Sequence, residues 1–123
     1  MARILIADDD VDYLDVFCDG MRTMGHEVTP FTSGDQVVEA MKTHAYDIIF
    51  LDVLMARGGA ISILHDVRIA DPVVPVVIIT GRAEMANSPV FRHGLRQAQA
   101  KLQKTTTLGE LDAVVRSLTA PPG

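Results

Sequence analysis

Residues 46–52 read YDIIFLD, an apolar run that ends on an acid. Two other stretches have a similar form: ILIADDD at residues 4–10, and VPVVIIT at residues 74–80, which ends on a hydroxyl instead. None of the three alternates apolar with polar residues, as a strand with one solvated face does. Runs of this kind are typical of strands that are buried on both faces. They predict an α/β protein with a parallel sheet and helices on both sides of it.

Amphipathic helices are predicted between these strands. After the first strand, apolar residues recur at helical spacing until Gly25, which favours a helix end. A strand at residues 27–31 contains Pro30, and proline cannot donate to a ladder, so this strand is predicted at a sheet edge. Ser88-Pro89 and Thr107 are typical of helix starts. The remaining predicted elements are a helix at about 35–44 that is capped by Thr32 or Ser33 and buries Val38 and Met41, a helix at about 60–70, and a short strand at 101–103.

Composition limits the kind of protein. The chain has 123 residues, of which 48% are hydrophobic, and it carries a net charge of −5 with scattered cations. We expect one domain at residues 1–119, with residues 120–123 as a tail or the start of a linker. Without a basic stripe, direct nucleic-acid binding is not expected. A single cysteine, Cys18, cannot build a disulfide framework or a zinc site. No signal peptide or membrane-spanning stretch is visible, so a cytoplasmic protein without membrane insertion is predicted.

Polar side chains follow the predicted strands at the point where each strand ends. The first strand leads to Asp8 and Asp9, the third to Asp52, the fourth to Thr80 and the fifth to Lys104. In an open parallel sheet these ends form the ligand site. Carboxylates within ~4 Å of one another repel by several kcal/mol, so a cation is expected among them. Mg²⁺ prefers oxygen ligands, and together with an ammonium, a hydroxyl and a nucleophilic carboxylate it suits a phosphoryl group.

The ordered set of motifs resembles the receiver domain of two-component response regulators. The matching pieces are ILIADDD (4–10), YDIIFLDVLM (46–55), PVVIITG (75–81), KLQK (101–104) and TLGEL (107–111). The resemblance implies a doubly wound, flavodoxin-like fold. Its five-stranded parallel sheet has the order 2-1-3-4-5 and helices on both faces. This order places the second strand at an edge, where Pro30 also predicts it.

The resemblance assigns a phosphoacceptor and a metal site. Asp52 is expected to take a phosphoryl group from a histidine kinase or a phosphotransfer protein. Mg²⁺ (or Mn²⁺) is expected to bind Asp9, Asp52 and the backbone carbonyl of Leu54, with Asp8 acting mostly through bound water. The domain itself is then a signalling protein and not an enzyme.

The resemblance also implies how a signal leaves the domain. Lys104 is expected to pair with the carboxylate and then with a phosphoryl oxygen, and Thr80 to hydrogen-bond the phosphoryl group. The resulting conformational change acts on an unknown downstream protein, and a homodimer is left open. Among the departures from the family pattern, Thr105 replaces the usual proline and Lys101 replaces the usual aromatic residue. We therefore expect intact phosphorylation but an unusual output surface that includes Lys101.

Two alternatives are left open. A pseudo-receiver that binds partners without phosphorylation is one, because Lys101 and Thr105 are unusual. A haloacid-dehalogenase-like phosphatase is the other, with Asp8 as nucleophile and Asp10 as acid/base, although the chain lacks room for a cap domain. Asp10 is more simply interpreted as a helix N-cap. A calcium loop at residues 8–12 is excluded because Tyr13 stands where that loop needs glycine.

Overall fold

A computed structural model of the chain describes residues 1–53, 55, 59–81 and 88–120. Strands and helices alternate along these residues. The strands are β1 (Arg3–Ala7), β2 (Glu27–Phe31), β3 (Ile48–Asp52), β4 (Val76–Thr80) and β5 (Ala100–Gln103). The helices are α1 (Val11–Thr23), α2 (Asp35–Thr43), α3 (Ala60–Ala70), α4 (Pro89–Gly94) and α5 (Leu108–Thr119).

The five strands form one parallel sheet in the order β2-β1-β3-β4-β5, which confirms the predicted fold. The strand β2, with Pro30, lies at an edge as predicted. The central strands β3 and β4 are buried at every residue, which is why their sequences do not alternate.

Two apolar clusters sandwich the sheet because successive strand residues point to opposite faces. Ile4 and Ile6 of β1 pack with α1 and α5 on one face, whereas Leu5 and Ala7 pack with α2, α3 and α4 on the other. Within the first cluster the ring of Phe17 meets the ring of Phe50 edge to face, with centroids 5.0 Å apart. The helices on both faces that the sequence predicts are therefore present.

Several helix ends follow the predicted signals. The side chains of Asp10, Ser88 and Thr107 cap α1, α4 and α5 by accepting hydrogen bonds from backbone N–H groups. Beyond α1 the chain turns at Gly25, whose φ of +94° is strained for residues with a Cβ. These caps fix the residues at which α1, α4 and α5 begin.

The helix α2 begins at Asp35 as predicted, but its predicted cap is wrong. Gly34 is the N-cap residue, and the Ser33 hydroxyl bonds to the side chain of Asp35 and not to a backbone N–H. The buried residue of this helix is Val37, while Val38 and Met41 are only partly buried against the second cluster. The helix packs mainly against α3 beside the edge of the sheet, so only a narrow stripe of it is covered.

A polar network closes the end of the sheet that is opposite the predicted site. The backbone N–H of Ala2 donates to Nδ1 of His26 at 3.0 Å, so the other ring nitrogen carries the proton. That nitrogen, Nε2, lies 2.6 Å from Oδ1 of Asp112, and Arg116 donates to Oδ2 at 2.9 Å. The network joins the starts of β1 and β2 to α5. His26, whose side chain is 1% exposed, therefore has a structural role.

None of the helices in the described part of the chain has the length and apolar character that a membrane crossing requires. The predicted metal ligand Leu54 and residues 121–123 of the predicted tail lie outside the described residues.

Candidate functional site

Three carboxylates meet at the carboxyl ends of β1 and β3, which are neighbours in the sheet. Asp8 and Asp9 follow β1, and Asp52 is the last residue of β3. Each residue offers an oxygen that lies within 4.8 Å of the others. Asp8 and Asp52 are buried, with 0% and 6% of their surface exposed, whereas Asp9 is exposed. The structure thus brings together the acids that the sequence predicts, and one of them faces solvent.

The backbone fixes Asp8 in place. Its N–H donates to the carbonyl of Phe31 at 3.0 Å, which extends the ladder between β1 and β2 by one residue. The N–H of Asp10 donates to its Oδ1 at 2.9 Å. The other oxygen, Oδ2, lies 2.7 Å from Nζ of Lys104. Oδ2 is buried and accepts no well-aligned hydrogen bond from any described residue, so this contact is best described as an ion pair.

Lys104 follows β5 directly, and its backbone N–H donates to the carbonyl of Thr80 at 2.8 Å. Its ammonium lies 3.6 Å from Oδ2 of Asp52 and 3.9 Å from Oδ2 of Asp10, in addition to its pair with Asp8. Burial alone disfavours the charged form, but contact with Asp8 and the charges of the other two carboxylates outweigh burial and raise the pKa of Lys104. The side chain therefore stays cationic at neutral pH.

Thr80 ends β4 and is 5% exposed. In the register of the sheet, Asp52 is paired with Ile79, so Thr80 lies one residue further toward the same edge. Its side chain is thus positioned by the strand that lies between the acids and Lys104.

Two further predicted residues have clear positions. Asp10 accepts a hydrogen bond from the N–H of Tyr13 at 3.2 Å, which confirms it as the N-cap of α1. Lys101 is exposed in β5, opposite Ile78 of β4, and so belongs to the surface and not to the acidic cluster. The bond that precedes Thr105 is trans, like every peptide bond in the described ranges.

Tyr13 is a component of the site that sequence analysis did not identify. Nζ of Lys104 lies 5.0 Å from the centre of its ring, within the range of a cation–π contact. Its hydroxyl oxygen is buried and has no hydrogen-bond partner among the described residues. Burial, followed by the charges of Asp8 and Asp52, raises the pKa of Tyr13 to about 12. The sequence signal was its place in the first turn of α1, directly after the acids.

The chemistry of the cluster fits a hard divalent cation. All three acidic side chains offer oxygen atoms, and the ammonium of Lys104 offsets only one of their negative charges. Mg²⁺ binds to sites of this type through one or two carboxylates and keeps several waters, which exposed Asp9 permits.

Comparison with known proteins assigns the family. The response regulator receiver domain model matches residues 4–116. This chain belongs to the response regulator receiver domain family. Receiver domains are signalling modules of two-component systems, and they interact with histidine kinases. The match favours a receiver over a haloacid-dehalogenase-like phosphatase.

Two curated relatives match nearly the whole receiver domain. This chain is 34% identical over 118 residues to the response regulator protein PmrA of Pseudomonas aeruginosa. The alignment covers 95% of this chain and 52% of PmrA. The chain is 31% identical over 117 residues to the transcriptional regulatory protein PrrA of Mycobacterium bovis, covering 94% of this chain and 49% of PrrA. The chain therefore spans about half the length of these relatives.

Solved structures share the fold. The receiver domain of Francisella response regulator 1452 is 25% identical, with a TM-score of 0.83 and coverage of 97% of both chains. The response regulator TrrA of Thermotoga maritima, which was crystallised in complex with Mg²⁺-BeF, is 19% identical, with a TM-score of 0.85. The alignment with TrrA covers 96% of this chain and 99% of TrrA.

Proposed function

We propose that this receiver domain accepts a phosphoryl group on Asp52 from a histidine kinase or a phosphotransfer protein. One observation carries the proposal: the Asp52 carboxylate closes β3 beside two further acids, with the Lys104 ammonium 3.6 Å from its Oδ2. An acid in this setting has a cation at hand to stabilise the charge of an incoming phosphoryl group.

Asp8 is poorly placed to act as the nucleophile. Asp8 is wholly buried, its Oδ1 accepts the N–H of Asp10, and its Oδ2 is paired with Lys104 at 2.7 Å. A nucleophile needs an oxygen that can approach phosphorus in line with the leaving group. The phosphatase alternative, in which Asp8 is the nucleophile, is therefore disfavoured by the same contacts.

The transfer step is a substitution at phosphorus. A carboxylate oxygen of Asp52 forms an O–P bond while the P–N bond to the donor histidine breaks. The electron pair of that bond returns to the imidazole nitrogen, and the donor leaves as neutral histidine because the other ring nitrogen of the phosphohistidine carries a proton. The product is an aspartyl phosphate, whose added charge lies within reach of the Lys104 ammonium.

We propose that Asp8, Asp9 and Asp52, together with the backbone carbonyl of Leu54, hold Mg²⁺ (or Mn²⁺). When bound, the ion neutralises negative charge on the phosphoryl oxygens. Buried Asp8 orients the site through its two fixed oxygens, whereas exposed Asp9 remains open to solvent. A magnesium-bound state of the relative TrrA is consistent with this proposal.

The output is proposed to be a conformational signal. Thr80 hydrogen-bonds the phosphoryl group, and because its carbonyl accepts from the N–H of Lys104, its movement is coupled to the end of β5. Exposed Lys101 lies three residues earlier on that strand and is proposed to contribute to the surface that a downstream protein contacts. Domain bounds of 1–119, a cytoplasmic location and a homodimer stay predictions.

Covalent labelling tests the acceptor. Wild type and Asp52→Asn are treated with acetyl phosphate or phosphoramidate, with and without Mg²⁺, and read by intact mass. We expect one phosphoryl group on the wild type, only with Mg²⁺, and none on the variant. Asp19→Asn is the matched control, since Asp19 is an exposed acid of α1 away from the cluster, and it should label like the wild type.

The alternatives give different results. Labelling that persists in Asp52→Asn but disappears in Asp8→Asn would favour the phosphatase. A wild type that is folded and binds Mg²⁺ but never gains mass would favour the pseudo-receiver.

A further inference from the structure

Lys104 has two neighbours of different chemical character. One is the carboxylate of Asp8, at 2.7 Å from Nζ, and the other is the ring of Tyr13, whose centre is 5.0 Å from the same nitrogen. The carboxylate is a directional ion-pair partner. The ring face attracts an ammonium through its quadrupole, and this attraction is not directed at a single atom.

The Tyr13 ring is fixed by the core. The N–H of Tyr13 donates to the cap residue Asp10 at 3.2 Å, which sets the first turn of α1. The ring lies 6.2 Å from the ring of Phe17, which in turn packs against Phe50 of β3 at 5.0 Å. A row of three aromatic rings thus extends from the centre of the sheet to the ammonium of Lys104, so the surface that this ammonium contacts is rigid.

The hydroxyl of Tyr13 does not explain the presence of the ring. Its oxygen is buried without a hydrogen-bond partner among the described residues, which is unfavourable for folding. Phenylalanine would supply the same ring face without the unpaired hydroxyl. The contact with Lys104 is therefore a property of the ring and not of the hydroxyl.

A cavity lies beside the pair. It has a volume of about 340 Å³, and Tyr13 and Lys104 both line it, together with Asp10, Thr106 and Leu108. The ammonium lies 2.7 Å from Oδ2 of Asp8 and 3.6 Å from Oδ2 of Asp52, so a small shift toward Asp52 would bring it to a phosphoryl group there. Because the attraction of a ring face is not directed at one atom, the ammonium can make this shift while it stays over the ring of Tyr13.

We propose that Tyr13 is a positioning residue for phosphoryl acceptance, whose ring face holds the Lys104 ammonium between Asp8 and Asp52. This role rests on the proposed function of Asp52. The ring keeps the ammonium close to the reacting oxygen and lets it follow the charge as the charge moves onto the phosphoryl group.

The test compares Tyr13→Phe with Tyr13→Leu and Tyr13→Met. The rate of Mg²⁺-dependent labelling by acetyl phosphate is measured for each, together with the thermal midpoint. Phe keeps the ring, so labelling at the wild-type rate and an equal or higher midpoint are expected. Leu and Met lack the ring, and we expect labelling to slow about 3- to 10-fold. The control is Tyr46→Leu. It removes a ring just before β3, at the end of the sheet opposite the acids, and should label like the wild type.

A second readout does not require phosphorylation. In proton NMR spectra, ring current should shift the ε-methylene signal of Lys104 upfield in the wild type and in Tyr13→Phe. That shift should be lost in Tyr13→Leu and Tyr13→Met. Because it reports the contact itself, it separates loss of the ring from a general change in stability.

Several outcomes would overturn the role. Wild-type rates in folded Tyr13→Leu and Tyr13→Met would show that the ring is dispensable, and a slow Tyr13→Phe would transfer the effect to the hydroxyl. In both cases the wild type still labels on Asp52, so the proposed function stands. A wild type that does not label removes both proposals, while the NMR shift still reports whether the ring contact exists.

Discussion

Asp8 and Asp9 are adjacent in the chain but lie in opposite environments. Asp8 is fully buried and paired with Lys104, so part of its charge is already neutralised. Asp9 is exposed and within 4.8 Å of the other two acids, so its charge is open to a cation from solvent. Both residues follow the last residue of β1, so Asp9 lies one position further from the buried sheet while its carboxylate stays beside the other two acids.

Mg²⁺ should stabilise the folded chain, and Asp9 should carry much of this effect. Binding to the native state alone adds about 2.7 kcal/mol at a concentration 100 times Kd. Removing a ligand carboxylate in Asp9→Asn should weaken binding about tenfold or more, which lowers that gain by about 1.4 kcal/mol. Thermal unfolding with increasing Mg²⁺ measures both quantities.

The control for this prediction is Asp12→Asn, which removes an exposed acid from the first turn of α1. Its response to Mg²⁺ should match that of the wild type. If Asp9→Asn responds as strongly as Asp12→Asn, Asp9 is not a ligand.

At the scale of elements, the two helices next to β2 in the chain are held very differently. Four side chains of α1 are buried, among them Phe17 and Met21, whereas α2 buries only Val37. A fully buried large apolar side chain contributes about 1.5–3 kcal/mol. The helix α2 therefore has much less than α1 to hold it to the sheet.

Hydrogen exchange in the native state should reveal this difference. Amides in the middle of α1 should exchange only through global unfolding, because opening the helix exposes its four buried side chains. Amides of α2 should exchange through a local opening of lower free energy. Equal protection in the two helices, measured residue by residue by NMR, would contradict this account.

The sequence predicted elements well where burial alone determines them. The apolar runs of β1, β3 and β4 can only lie inside a covered parallel sheet, and Pro30 indicated the edge. The cap of α2 was not predictable, since Ser33 can bond either to a backbone N–H or to a neighbouring side chain. A competition between two polar partners close in sequence depends on local geometry that residue type does not determine.

The candidate site shows the same distinction. Asp8, Asp9, Asp52 and Lys104 were expected together because parallel strands end at one edge. The contact between Lys104 and Tyr13 depends on how α1 and the end of β5 approach each other across the first face of the sheet. No sequence pattern encodes that approach, because the two residues belong to elements at opposite ends of the chain.

For the whole molecule, the network of His26 and Asp112 joins the first and last elements at the end of the sheet that is opposite the acids. Hydrogen bonds from His26 and then from Arg116 lower the pKa of Asp112 below its usual value near 3.8. A carboxyl whose pKa is lower in the folded state stabilises that state at pH values above its unfolded pKa. Its contribution is lost as pH falls through the folded pKa.

Asp112→Asn should therefore be destabilised at pH 7, and the difference from the wild type should shrink as pH falls below about 4. Urea unfolding at several pH values measures the two free energies. Asp66→Asn is the control: Asp66 is an exposed acid of α3, and its replacement should change the free energy of unfolding by less than about 0.5 kcal/mol. A difference for Asp112→Asn that does not vary with pH would contradict the prediction.

Pro30 has a consequence for the outer side of the sheet. Glu27 donates its N–H to the carbonyl of Ala2, and the carbonyl of Phe31 accepts from Asp8, so residues 27 and 31 face β1. Because the direction of the backbone groups alternates along a strand, residue 30 faces away from β1. A strand from another molecule that approached this edge of β2 would find one outward-facing N–H donor missing, at the fourth of its five residues. The edge strand β2 is thereby less able to pair with a strand of another molecule. Aggregation through this edge at high protein concentration is disfavoured.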